Sequence, residues 1–176
     1  MRPPRPEMSN AVPPPVTAER QPPPLLRLAG GLWLASLAAG VAALVIAFLD
    51  RETFLTNLQD TALSLESGVA TEDAEMVATI AFWGSLGALA VVLLVTGLLG
   101  RTLLRGRGWA RWVLLAVLVL DAGAVLLVQA FLGTDAAGFQ PVPHLAMAHL
   151  VLAAVALVVA LLPQVSRWLR GADPRR

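Results

Sequence analysis

The sequence predicts an all-α membrane protein, built as a bundle of four transmembrane helices. Of its residues 57% are hydrophobic and only 14% are charged, well below the ~25% charged residues of a typical soluble domain. Four apolar segments are also long enough to cross a hydrocarbon core of ~30 Å as helices. We place the spans at about residues 25–49, 76–100, 109–132 and 144–162, within a bundle that covers residues 25–166.

The two ends of the chain differ from this apolar core. Residues 1–24 contain nine of the 13 prolines, which cannot continue a helix and favour an extended polyproline II conformation. We therefore expect a disordered, Pro/Arg-rich tail, with Pro24 at the first position of the first helix, where a missing N–H costs nothing. Residues 167–176 form a short basic tail.

Small residues recur at every fourth position of the first span. Such a ladder lets a second helix approach closely. It predicts a packing face within the bundle, although a homodimer contact or simple alanine richness would produce the same pattern. The ladder consists of Gly31, Ala35, Ala39, Ala43 and Ala47.

The polar segment between the first two spans predicts a short amphipathic helix. Its apolar residues fall on one side of a helical wheel, namely Phe54, Leu58, Ala62, Leu65 and Val69. Its opposite face is acidic, whereas helices that lie in the membrane interface are usually rich in basic residues. We therefore expect packing across the bundle or against a partner. Thr71 is the predicted N-cap of the following helix, with acids in the first turn.

The arginines predict the orientation of the chain. Twelve of the 13 basic residues lie in the N-terminal tail, at the start of the first span, in the 101–111 connection and in the C-terminal tail, and eight acids lie on the opposite side with Arg51. Because basic residues mark the cytoplasmic side, both termini should be cytoplasmic and the amphipathic helix extracytoplasmic. The arginine patches would also suit anionic lipid headgroups or nucleic acid, but their role in topology is a sufficient explanation, and we expect no nucleic-acid partner.

Four polar residues within the spans form the candidate intramembrane site: Asp121, His149, Ser36 and Gln129. Asp121 lies ~15 Å above Arg111, near the bilayer midplane, and Ser36 comes to a similar depth. Counted from Pro163, His149 lies ~6 Å further than Asp121 towards the extracytoplasmic side. A carboxylate at the midplane costs at least ~2.5 kcal/mol on insertion scales, so Asp121 should face the bundle or a partner. There it serves either as a hydrogen-bonding group that holds helices together or as a group that gains and loses protons.

Several chemistries are not expected. Cysteine is absent, which excludes disulfides, thiolate metal sites and thiol nucleophiles. The only two histidines, His144 and His149, point ~140° apart on one helix, so they cannot ligate one haem from both sides. We find no phosphate-binding glycine loop, nucleophile–base pair or third metal ligand. The sequence therefore predicts no cofactor, no metal and no enzymatic activity.

The stretch Gly106-Arg107-Gly108-Trp109-Ala110-Arg111, which leads directly into a span, resembles small four-span integral membrane proteins of actinobacteria. The proline-rich tail, the Ala/Leu/Val-rich spans and the basic ends resemble them as well. The resemblance implies a plasma-membrane protein of the actinobacterial type, and it implies no activity and no residue roles. Small multidrug transporters also have four spans, but they are shorter and carry their essential acid in the first span.

The sequence thus favours a non-enzymatic accessory, scaffold or assembly subunit of a plasma-membrane complex. Its expected partners are the lipid bilayer and another membrane protein or a second copy of the chain. The alternative is a small proton-coupled transporter or channel component that uses Asp121 and His149. That alternative requires a continuous polar path through the membrane. The inner half of the spans offers only Thr96 among uncharged polar residues, which counts against it.

Overall fold

A computed structural model describes residues 23–65, 70–133 and 139–171, with side chains as far as Arg167 in the last range. These residues form six helices and confirm the predicted all-α class. The helices are α1 (Pro24–Leu49), α2 (Arg51–Leu65), α3 (Thr71–Leu104), α4 (Ala110–Leu132), α5 (Pro141–Leu161) and α6 (Pro163–Gly171). Four of them, α1, α3, α4 and α5, are long and apolar enough to cross a membrane. Residues 1–22 of the predicted tail 1–24 and the segments 66–69, 134–138 and 172–176 lie outside the described residues.

The ends of the spans follow local sequence signals. Pro24 occupies the start of α1, as predicted. The second span is longer than expected, because α3 adds a turn at each end, and its first turn carries Glu72 and Asp73, where the helix dipole favours acids. The predicted cap was wrong. Thr71 is the first helical residue, and Ala70 precedes it without a side-chain cap.

The connection between α3 and α4 is a tight turn. Gly106 has φ 86°, a left-handed conformation that glycine adopts without steric cost. The Arg107 N–H donates to the Thr102 carbonyl at 3.4 Å, and the Gly106 N–H donates to the Leu103 carbonyl at 2.9 Å. Such bonds satisfy carbonyls that a helix end leaves free. The chain therefore reverses direction within residues 105–109, and α3 and α4 become antiparallel neighbours.

The four spans form a closed ring in the order α1, α3, α4, α5. The most extensive contact joins α1 to α5, and further contacts join α3 to α4, α4 to α5 and α1 to α3. A side chain at Gly30 would meet Leu104, and one at Gly40 would meet Leu93, which shows that α1 and α3 run antiparallel. Consequently α1 and α4 lie diagonally across the ring, and α5 lies between them.

Two apolar clusters fill the ring, one in each half. The cluster near the α3–α4 turn includes Leu26, Leu103, Leu114 and Leu157. The cluster near α2 includes Phe82, Leu89, Val125, Val128 and Leu132. Between the two clusters lies a layer of buried polar side chains, which belongs to the candidate site.

The predicted amphipathic helix is present as α2, and it lies on α3. The Phe54 ring stacks on the Phe82 ring with centroids 6.3 Å apart. Phe54, Leu58 and Ala62 are half-buried, as their place on the predicted apolar face requires. Leu65 was assigned to the same face, but its side chain is 82% exposed at the end of α2. Val69 lies outside the described residues.

The chain does not end its helical structure at Pro163. The helix is interrupted at Leu162, and Pro163 then begins α6. This helix was not predicted, because a proline after an apolar span is typical of a helix end. Proline suits the first turn of a new helix equally well. Arg111 at the start of α4 donates to the Ser166 hydroxyl at 2.8 Å, so α6 is tied to the end of the bundle near the α3–α4 turn.

The predicted small-residue ladder enters the bundle only in its second half. Gly31 and Ala35 are exposed, Ala39 is half-buried, and Ala43 and Ala47 are fully buried. A step of four residues drifts ~40° per turn on a 3.6-residue helix, so the ladder rotates away from any one neighbour. The buried stripe alternates steps of three and four instead, through Leu26, Ala29, Trp33, Ser36, Gly40, Ala43 and Ala47.

Candidate functional site

Three of the four predicted site residues meet in the polar layer. Ser36 on α1, Asp121 on α4 and His149 on α5 have relative exposures of 0%, 1% and 0%. The depth count had placed His149 ~6 Å further out than Asp121, but the two side chains are in contact. The count starts at Pro163, whereas α5 ends at Leu161, and this offset of two residues accounts for ~3 Å of the difference.

Ser36 and His149 bind each other's main chain. The Ser36 hydroxyl lies 2.9 Å from the His149 carbonyl and 2.7 Å from His149 Nδ1. His149 Nδ1 in turn lies 3.0 Å from the Ser36 carbonyl. A carbonyl only accepts hydrogen bonds, so this contact assigns a proton to Nδ1, and the hydroxyl then donates to the His149 carbonyl. The exchange is reciprocal, and we call it the α1–α5 clasp.

A glycine makes the clasp possible. A Cβ atom at Gly40 would lie 3.2 Å from His149 Cγ and 2.4 Å from Leu93 Cδ2. Gly40 stands one turn after Ser36, where it leaves room for the imidazole to reach the α1 backbone. The sequence analysis missed Gly40 because it followed the ladder from Gly31. The signal that would have found it is a serine and a glycine four residues apart on one helix face.

The other ring nitrogen of His149 faces Asp121. Nε2 lies 3.1 Å from Asp121 Oδ2, at ion-pair distance but without the alignment of a hydrogen bond, so these two atoms count as unpartnered. The contact places the imidazole beside the one carboxyl group of the described polar layer, and a paired carboxyl group costs less in an apolar surrounding than an isolated one.

A small cavity lies on the other side of Asp121. All four spans line it. The lining residues are Trp33 of α1, Thr96 of α3, Leu114, Leu118 and Asp121 of α4, and Ala153 and Leu157 of α5. The space open to the centre of a water molecule is about 10 Å³. Trp33 was not among the predicted site residues. Its position one turn from Ser36 on the same helix face is the signal that the sequence offered.

Gln129, the fourth predicted residue, does not join this cluster. It is half-buried, and its side-chain amide donates to the Pro143 carbonyl at 3.1 Å. Gln129 lies about two helical turns from Asp121, ~12 Å further along α4. It connects α4 to the start of α5 and extends no polar path from the cluster, because the apolar cluster around Val125 and Val128 lies between them.

Two larger cavities are apolar or peripheral. One of about 410 Å³ is an open groove between α1 and α3, lined by apolar side chains such as Phe48, Trp83 and Leu86. The other, about 820 Å³, lies beneath α2 beside α3 and the end of α4, and Asp60 is the ionisable residue of its described lining. Among the described residues no group of three or more His, Cys, Asp or Glu side chains could hold a metal ion.

The fold and its buried polar layer define a multi-pass α-helical integral membrane protein. Four apolar helices close around a layer of polar side chains, and large apolar residues on all four, such as Leu34, Val91, Val119 and Val158, remain exposed on the outside. Comparisons with protein-family models, with curated proteins and with solved structures found no match. The function must therefore be argued from the site itself.

Proposed function

We propose that this chain is a non-enzymatic accessory, scaffold or assembly subunit of a plasma-membrane complex. One observation carries the proposal: the His149–Asp121 pair is sealed inside the bundle. Their exposures are 0% and 1%, and an apolar cluster closes the ring on either side of them. Groups enclosed in this way hold helices together, and they meet no substrate in this conformation.

The outer surface of the spans supplies the contacts for such a role. Leu34, Leu94 and Val119 have exposures of 69%, 64% and 71%, which suits contact with lipid tails or with another membrane protein. Outside the bundle, the described structure contains only the short helices α2 and α6. The partner is therefore the lipid bilayer together with another membrane protein or a second copy of this chain, bound through the spans or through α2.

The proposed orientation has both termini in the cytoplasm. The support is the arginine distribution, with basic residues at the α3–α4 turn and acids along α2 and the start of α3. Because the chain contains no cysteine, single cysteines at Asn57 and Arg105 test it directly. An impermeant thiol reagent should label Asn57→Cys and not Arg105→Cys in intact cells, and the reverse pattern would overturn the orientation.

Substitutions of Asp121 test the proposed role. Asp121→Asn keeps the shape and the hydrogen-bonding capacity, so function in a deletion strain and co-purification of partners should survive. Asp121→Leu removes the polar group, and it should weaken the protein by leaving His149 Nε2 facing an apolar side chain, a loss of ~1–2 kcal/mol in a membrane. Leu120→Ala, at a neighbouring lipid-facing position that is 65% exposed, is the matched control and should behave as the parent.

The second candidate is a proton-coupled transporter or channel component. The observation in its favour is the 3.1 Å approach of His149 Nε2 to Asp121 Oδ2, because Asp and His side chains form the proton relays of membrane transporters. In that case Asp121→Asn should be as inactive as Asp121→Leu, since an amide does not release a proton at accessible pH. An Asn variant that folds, keeps its partners and loses function would replace the accessory proposal by this one.

A further inference from the structure

Three residues that line the cavity beside Asp121 each have a buried polar atom without a hydrogen-bond partner in the described protein. These atoms are Trp33 Nε1, Thr96 Oγ1 and Asp121 Oδ1. The three residues are 5%, 3% and 1% exposed, and all three line the same cavity. Buried polar groups in folded proteins are nearly always paired, with protein or with ordered water. Three unpaired atoms around one cavity therefore point to a molecule between them.

The chemistry of the three atoms restricts what that molecule is. The indole N–H of Trp33 only donates, the Asp121 carboxyl oxygen Oδ1 accepts, and the Thr96 hydroxyl does both. A metal cation would face the donor N–H, and an anion would face the carboxyl group. The occupant must accept one hydrogen bond and donate another.

The volume restricts it further. A site of about 10 Å³ for the centre of the occupant is close to the minimum that holds one water molecule, and it excludes any metabolite. We infer that one structural water molecule binds between Trp33, Thr96 and Asp121. It accepts from the indole N–H, donates to the carboxyl group and exchanges a hydrogen bond with the threonine hydroxyl.

This water brings α3, the one span without a polar contact to the others among the described residues of the layer, into the polar layer. Without it, the polar contacts join α1 to α5 through the clasp and approach α4 through Asp121. With it, Thr96 on α3 and Trp33 on α1 are connected to Asp121 as well. The polar chain then runs from Ser36 through His149, Asp121 and the water to Thr96. The inference does not depend on whether the protein is an accessory subunit or a transporter.

Water contact at Trp33 is measurable by nuclear magnetic resonance on the full-length protein in detergent micelles. The indole N–H signal is assigned by its loss in Trp33→Phe. A bound water should give a rotating-frame cross-peak to this proton with the sign of a dipolar contact, which differs from the sign of chemical exchange. A Trp33 signal with no dipolar cross-peak to water would overturn the inference.

The thermal unfolding midpoint of Thr96→Val provides an independent test of the bound water. If the cavity is dry, this isosteric change removes an unpaired buried hydroxyl and should leave the thermal unfolding midpoint unchanged or raise it. If the water is bound, the change removes one of its partners, and the midpoint should fall by a few degrees. Thr102→Val is the matched control, because the Thr102 hydroxyl bonds to the Leu98 carbonyl of its own helix at 2.8 Å. A midpoint for Thr96→Val at or above that of the parent contradicts a bound water.

Discussion

The two sides of the polar layer satisfy their hydrogen bonds in different ways. On the α1–α5 side, Ser36 and His149 exchange side-chain and main-chain bonds of 2.7 to 3.0 Å. On the α3–α4 side, Thr96 and Asp121 lack aligned partners within the described protein. The first side is complete in itself and fixes the distance between two helices. The second, open side leaves polar atoms unpaired within the described protein, and the inferred water molecule is what joins them.

This difference ranks the expected effects of substitutions. Changes on the clasp side should lower the stability of the bundle itself, because direct bonds are lost. Changes on the open side should have smaller effects, since each group there has fewer direct contacts. Stability here means the free energy of unfolding from a denaturant titration in mixed micelles.

The largest loss is expected for His149→Leu. The change removes the Nδ1 contacts with Ser36 and leaves Asp121 buried without its counterpart, and breaking a buried pair costs about 3–5 kcal/mol in soluble proteins. Because hydrogen bonds in membrane proteins are often weaker, we expect a loss of about 3 kcal/mol in the titration. His149→Gln, which retains a donor and an acceptor, should recover part of it. A loss below about 1 kcal/mol for His149→Leu would show that the clasp does not hold α1 to α5.

Gly40→Ala should rank second. The added methyl group would lie 3.2 Å from His149 Cγ and 2.4 Å from Leu93 Cδ2, so both side chains must move. Overpacking of this kind costs about 1–3 kcal/mol. The control is Gly31→Ala, where the methyl group meets nothing within 4 Å. Equal stability of the two variants would mean that α1 and α5 separate without cost.

Ser36→Ala removes the hydroxyl group but keeps the Ser36 carbonyl contact with Nδ1. One hydrogen bond is lost, worth about 1 kcal/mol. The double variant Ser36→Ala, His149→Leu should then cost less than the sum of the two single changes, because the 2.7 Å contact between the Ser36 hydroxyl and His149 Nδ1 is lost in either one. Additive losses in the same titration would show that the two residues act independently.

The smallest effect is expected for Ala35→Leu, on the exposed half of the ladder. Its side chain points away from the bundle, so the monomer should lose less than about 0.5 kcal/mol. Ala43→Leu, in the fully buried half, should lose about 1–3 kcal/mol by overpacking. If Ala35→Leu is instead the more damaging change, or shifts the particle mass in light scattering, the exposed half contacts a second copy of the chain.

The sequence predicts the number of spans and the amphipathic helix because these depend on local hydrophobicity and periodicity. The helical spacing of His149, Ala153, Ala156 and Ala160 places them on one face of α5, and all four are buried. The α1–α5 clasp could not be predicted, because Ser36 and His149 are 113 residues apart and their meeting depends on which helices become neighbours. Only the second half of the small-residue ladder is buried, for a related reason. A residue spacing identifies a face of a helix but not the neighbouring helix that covers it.

The place of Trp33 at the polar cavity could not be predicted from its residue type. A tryptophan in an apolar segment reads as core or as an interface anchor, and the indole N–H gains meaning only when Thr96 and Asp121 lie across a shared cavity. The start of α6 was missed for a local reason, since Pro163 suits a helix end and a helix start alike.

The dominance of the α1–α5 contact has a consequence for how the protein is made. A ribosome delivers α1 to the membrane first and α5 last among the spans. Until α5 arrives, α1 lacks its principal neighbour, Asp121 lacks His149, and the gap left by Gly40 is lined by lipid. The α3–α4 hairpin can assemble earlier because its connection is short. Closure of the ring therefore waits for α5, and a chain released after α4 leaves the Asp121 carboxyl group without His149 inside the bilayer, which is costly.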